Sequence, residues 1–221
     1  FVVFAGMRTG SNFLERNINS IPDLRSFGEL FNPYFISVER NTEEYLGITL
    51  EDREKDPFPL IEKVRAEAHG LAGFRLFWDH DHRVRDAALA DPRCAKIVLT
   101  RNPVETYVSW KLALATDQWV LTDAKGLRES TAIAFDKDEF VEHLAGYQDF
   151  LRVVRTGLQK SGQTAFELEY PDLQNLDALA GLVRWLGSEH ELTRFDRSLK
   201  KQNPSALRGK VSNAEEMEQA L

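Results

Sequence analysis

Residues 4–18, FAGMRTGSNFLERNI, follow directly on the apolar residues with which the sequence begins. The run FVVFAG ends in glycine and reads as a short buried strand. Behind it Phe13, Leu14, Ile18 and Ile21 recur at helical spacing, with Ser11 expected to cap the helix. In a strand–loop–helix unit the helix N-terminus presents unpaired N–H groups and partial positive charge, which attract an anion. Gly6 and Gly10 allow tight turns there, Thr9, Ser11 and Asn12 add side-chain donors, and Arg8 is the cation inside the loop. The pattern departs from G-x-x-x-x-G-K-[ST]: Gly6 and Gly10 are one residue too close, and Asn12 follows Ser11. The lysine that reaches the β- and γ-phosphates of a nucleoside triphosphate is missing. A P-loop kinase is therefore disfavoured, and the anion has to be sought elsewhere in the chain.

Working outward, LAGFRLFW and AKIVLTRNP read as further strands and TAFELEY as a shorter one. DPFPLIEKVRAEAHG, HRVRDAALADP, VETYVSWKLALATDQW and LDALAGLVRWLG read as helices. The longest predicted helix, DKDEFVEHLAGYQDFLRVVRTGLQK, places Phe140, Val141, Leu144, Tyr147, Leu151, Val154 and Leu158 along one face. Strands alternating with helices predict an α/β fold, a P-loop-like three-layer α/β/α arrangement around a mostly parallel sheet, in one domain over residues 1–221. The polar stretch from Leu121 to Ala134 is expected to be a mobile loop.

The 221 residues are 43% hydrophobic and 29% charged, with a formal net charge of -7 and a sequence pI near 5.4. That balance argues against a nucleic-acid partner, which calls for a basic domain, but not against a small anion held by a few placed cations. Cys94, the sole cysteine, excludes an intrachain disulfide and reads as structural; a reducing, cytoplasmic setting is the expectation. No stretch approaches the roughly 18 apolar residues of a membrane span.

A second anion motif lies in TRNPVETYVSWK. Arg101 ends a buried strand, Pro103 stands where a helix begins, and Ser109 lies eight residues beyond the arginine. Ligands collect at the C-terminal ends of strands in open α/β sheets, and a guanidinium fork with a hydroxyl suits phosphate. Taken together, RTGSNFL and RNPVETYVS resemble the sulfotransferases that use 3′-phosphoadenosine-5′-phosphosulfate (PAPS). The nearer resemblance is to the bacterial nodulation-type and trehalose-sulfating carbohydrate enzymes, which share an arginine in the first loop, a following GELF and a later TDQW-like segment.

The resemblance implies that Arg8, Thr9, Gly10, Ser11 and Asn12 hold the 5′-phosphosulfate of the donor PAPS, and that Arg101 and Ser109 hold its 3′-phosphate. It implies that the basic tail, Lys201, Gln202 and Asn203 foremost with Lys200, Arg208 and Lys210 beside them, covers the nucleotide. Glu29, in FGELF, is placed like the glutamate that serves that branch as base, a role that requires burial to raise its pKa. His80 and His82 are the alternative bases; as a pair they are too small a cluster to indicate a metal, and none is expected. Arg8 is expected over the sulfate oxygens and Arg75 along the site, with Trp78, Trp119 and Phe31 available for stacking.

The predicted activity is sulfuryl transfer from PAPS to a hydroxyl of a carbohydrate or glycolipid, with acceptor loops at 36–60 and 117–136. The alternatives are a kinase-like phosphotransferase and a nucleotide-binding module without chemistry. Neither the acceptor nor a homodimer is specified by these residues.

Overall fold

The computed structural model describes residues 1–36, 42–119, 132–198 and 206–220. Its main sheet has five parallel strands: β1 (Val2–Ala5), β2 (Leu24–Ser26), β5 (Leu71–Leu76), β6 (Lys96–Thr100) and β7 (Phe166–Glu169), in the spatial order β2-β5-β1-β6-β7. A two-stranded hairpin, β3 (Glu44–Tyr45) with β4 (Ile48–Thr49), stands apart from it. The helices are α1 (Ser11–Asn19), α2 (Leu50–Lys55), α3 (Phe58–Glu67), α4 (His82–Ala90), α5 (Pro103–Thr116), α6 (Lys137–Ser161), α7 (Leu176–Trp185) and α8 (Ala214–Ala220). Short 3₁₀ segments cover Tyr170–Gln174 and Leu207–Lys210. The predicted α/β architecture is the observed one.

Why the strands read as unbroken apolar runs follows from the layers, since a parallel sheet is covered on both faces. Side chains alternate across each strand. Val3 and Ala5 of β1 join Ile97 and Leu99 of β6 and pack under Leu14 and Ile18 of α1 and Leu179, Leu182 and Val183 of α7. Val2 and Phe4 turn the other way and pack with Phe74, Leu76 and Val98 against Leu60, Val64, Val84, Phe150 and Val154 of α3, α4 and α6. A third cluster joins Tyr107, Val108 and Leu112 of α5 to Phe140 of α6 and Met217 of α8. On α6 the buried face is Phe140, His143, Tyr147, Phe150, Val154 and Leu158; Val141 is 52% exposed, because it lies one position off that stripe.

The strand order fixes where a ligand can sit. The chain leaves β1 for β2 on one side of the sheet and later crosses to β6 on the other, so β1, between β5 and β6, is the switch point at which α/β sheets open a crevice. The loop after β1 and the turn after β6 are thus neighbours. Among the described residues no helix is long and apolar enough to cross a membrane.

Candidate functional site

The loop between β1 and α1 turns at Arg8, with φ 65°, and at Gly10, with φ 92°. Gly10 rather than Ser11 is the N-cap, and no side chain caps the helix; Phe13 N donates to Gly10 O, which leaves the N–H groups of Ser11 and Asn12 for another acceptor. A side chain at Gly10 would strike Leu173 Cδ1 at 2.6 Å and the Tyr170 ring at 3.0 Å; at Gly6 a Cβ would come within 3.0 Å of Tyr147 Cε2. Gly6 is thus required by a close approach, not by a left-handed turn. Thr9 Oγ1 is buried and donates to Gly6 O at 2.8 Å, so its hydroxyl braces the loop instead of facing outward.

The second motif arrives at the same place. Asn102 caps α5 by accepting from Val104 N and Glu105 N, and Pro103 begins the helix. Arg101 Nη1 donates to Arg8 O at 3.0 Å, and Arg8 Nε donates to Ser109 Oγ at 3.0 Å. Arg8 Nη1 also donates to Trp119 O at 2.7 Å. Burial first, and then the positive charge of Arg101, push the Arg8 guanidinium down to about 10, still charged at neutral pH. Arg101 pairs with Glu105 Oε2 through Nε at 2.9 Å and Nη2 at 2.7 Å, and lies 3.8 Å over the ring of Tyr170.

On the other side of the loop the register explains a buried charge. Arg75 of β5 is paired with Val3, so its side chain lies on the face covered by α1. There Arg75 Nη1 donates to Ser11 Oγ at 3.2 Å and to Asn12 Oδ1, and Nη2 pairs with Glu15 Oε2 at 3.1 Å. Glu15 Oε1 in turn accepts from Ser26 Oγ at 2.6 Å and Gly28 N at 2.8 Å, tying the end of β2 to α1.

Glu29 completes this network. Its Oε1 is 3.3 Å from Arg75 Nη1, and its Oε2 accepts from Asn32 Nδ2 at 2.9 Å and stands 3.7 Å from Nε2 of the buried His80. Burial works to raise its pKa, but His80, Arg75 and Asn32 outweigh it and hold the carboxyl down to about 2. The rise that the base role calls for is therefore not met: burial here comes with the Asn32 hydrogen bond and the nearby Arg75 and His80, all of which favour the anion.

The segment after Glu29 is held by Arg53 of α2, whose Nη1 donates to the carbonyls of Leu30, Asn32 and Phe35 at 2.8, 2.7 and 3.0 Å. Phe31 does not reach the site; it is 1% exposed and packs edge-on to Phe74 in the core. Trp78 is half-buried and meets His143 edge-on at 5.1 Å. His82 is the first residue of α4, which Asp81 caps.

Arg208 is spent on Glu218 at the surface, 3.1 Å away. Lys200, Lys201, Gln202 and Asn203 lie outside the described residues, as does most of the stretch from Leu121 to Ala134. Burial pushes the Cys94 thiol up, which fits a structural role. Among the described residues no group of three His, Cys, Asp or Glu side chains is placed to hold a metal ion.

Glu15, Asn32 and Arg53 are the site-forming residues that sequence reasoning missed. Glu15 had a readable signal, because Ser11, Leu14, Glu15 and Ile18 form one helical stripe, and a carboxylate inside an apolar stripe needs a buried partner.

The architecture that carries these residues is similar to that of a solved structure, a sulfotransferase from Alicyclobacillus acidocaldarius. The two share a TM-score of 0.53 and 15% identity over 94% of this chain and 87% of that one. No protein-family model and no curated protein matches this sequence. The chain therefore has a sulfotransferase-like α/β fold, with the loop after β1 and the segment after β6 meeting at its switch point.

Proposed function

We propose that this protein transfers a sulfuryl group from PAPS to a hydroxyl of a carbohydrate or glycolipid, as the sequence resemblance implies. The observation that carries the reading is the contact of Arg8 with Ser109 and of Arg101 with the Arg8 carbonyl. It joins two anion motifs separated by 101 and 93 residues in the chain. The uncapped N-terminus of α1, flanked by Arg8, suits the phosphosulfate end of a donor; Arg101 and Ser109 suit its 3′-phosphate. The backbone N–H groups of Thr9, Gly10, Ser11 and Asn12 are the contribution expected from the loop, with Lys201, Gln202 and Asn203 as further ligands of the nucleotide.

In this reading Glu29 takes the proton of the acceptor hydroxyl as its oxygen forms the new bond to sulfur and the bond from sulfur to the phosphate oxygen breaks. The leaving phosphate gains negative charge, which Arg8 and the α1 dipole stabilise. Because Glu29 is ionised at every ordinary pH, it is always available as an acceptor, but a carboxylate held so low is a weak base on its own. Neutral glycans fit the acidic surface better than polyanionic polymers do.

The test is a transfer assay with labelled PAPS over a panel of neutral glycans. Sulfated product is expected from the wild type, with turnover reduced about 10²–10³-fold in Arg8→Ala and about 10²–10⁴-fold in Glu29→Ala. Full turnover in both variants would refute the assigned mechanism.

A further inference from the structure

The hydrogens on Arg75 do not match the oxygens around it. Nη1 carries two hydrogens, yet three acceptors face it: Ser11 Oγ at 3.2 Å, Asn12 Oδ1, and Glu29 Oε1 at 3.3 Å. Nη2 is engaged by Glu15, while the buried Nε has no hydrogen-bond partner among the described residues. Two hydrogens shared among three acceptors leave the longest contact, that of Glu29 Oε1, the weakest held, so tightening one neighbour loosens another. Asn12 and Glu29 therefore compete for it.

We propose that Arg75 is a positioning residue through which occupancy of the anion loop releases Glu29. The inference rests on the reading above, in which Asn12 belongs to the donor-binding loop and Glu29 to the acceptor side. The chemistry runs through one amide. With Oδ1 already accepting from Arg75, Asn12 has its Nδ2 hydrogens to give to a phosphate or phosphosulfate oxygen. An amide donating on one side becomes a better acceptor on the other, because chained hydrogen bonds polarise one another. A seated anion thus strengthens the hold of Asn12 on Nη1 and weakens that of Glu29 Oε1. The carboxylate loses one of the groups that keep it a weak base, at the moment the donor is in place. Without that competition Glu29 is clamped between Arg75, Asn32 and His80.

Linkage is reciprocal, so weakening Glu29 as a competitor must tighten the anion. Adenosine 3′,5′-bisphosphate, titrated calorimetrically into wild type, Glu29→Gln, Asn12→Ser and the double variant, reads this directly. Glu29→Gln is expected to lower Kd about 5-fold in the wild-type background and to leave it unchanged in the Asn12→Ser background, where the amide link is absent. Arg75→Lys, which keeps the charge but loses the fork, is expected to erase the effect of Glu29→Gln in the same way. Plain charge repulsion between Glu29 and the nucleotide would instead give the same tightening in every background, and that outcome overturns the proposal. No tightening in the wild-type background overturns it too. Failure of the wild type to bind the nucleotide removes the underlying reading and this inference together; binding without coupling removes the inference alone.

Discussion

Arg101, just past the end of β6 and 12% exposed, meets Glu105, whose carboxylate is 44% exposed, whereas Arg75, inside β5, meets Glu15 and Glu29 with side chains only 4%, 8% and 17% exposed. Both arginines stand within reach of the same loop, and both pair with glutamate, yet water separates their roles. A pair with one partner open to solvent contributes less and exchanges that partner more readily, so in the proposed function Glu105 is the group that yields to an anion at Arg101. A pair away from water cannot lose one member without leaving an unpaired charge in a poor solvent for it. On the proposed function, the β1–β6 side would admit the ligand while the β2–β5 side holds its own groups in register.

Two substitutions press on that difference. Arg75→Met leaves Glu15 and Glu29 buried without their cation and is expected to destabilise the fold by about 3–5 kcal/mol, while Arg101→Met costs about 1 kcal/mol. Urea unfolding of the two variants measures both. Equal losses would show that burial does not separate the two sides.

A smaller effect concerns acid. The folded Glu29 carboxyl lies at about 2, below its ordinary 4.5, so the stability it contributes is fully present above about 4.5 and fades as the pH falls toward 2. The stability difference between wild type and Glu29→Gln is therefore expected to shrink as the pH falls through that window. A difference that stays constant from pH 5 to pH 2 would contradict the clamp on Glu29. The paired variant matters, because Asp91, also held to about 2 by Arg93, titrates in the same range and cancels in the comparison.

The two sides also differ in how plainly the sequence announces them. Arg8, Arg101 and Ser109 sit in strand–loop–helix motifs, whose physics is local: an apolar run, a break, a helix start. The strands themselves were legible for the same reason, as buried parallel strands are apolar on both faces. Arg75 could be assigned to a strand, but not to its partners, because its contacts span 63 and 64 residues and depend on the pairing of β5 with β1. Phe31 stayed open between stacking and core for want of the same information, since only the fold shows that Phe74 waits beside it.

Arg53 was hidden in a helix of six residues, too short for periodicity to reveal. Its start was nonetheless written in the chain: Thr49 and Asp52 form a reciprocal capping box. The direction of the Glu29 shift was beyond any sequence argument. Burial alone predicts a rise, and only the simultaneous arrival of Arg75, Asn32 and His80 reverses it.

The central claim is that the two motifs form one site for a nucleotide with phosphate at both its 3′ and 5′ positions. A crystal structure with adenosine 3′,5′-bisphosphate tests it most directly. The account predicts the 5′-phosphate on the N–H groups at the start of α1 beside Arg8, and the 3′-phosphate on Arg101 and Ser109, with Glu105 turned away. A nucleotide bound elsewhere, or one with its 3′-phosphate in solvent while Arg101 keeps Glu105, would contradict it.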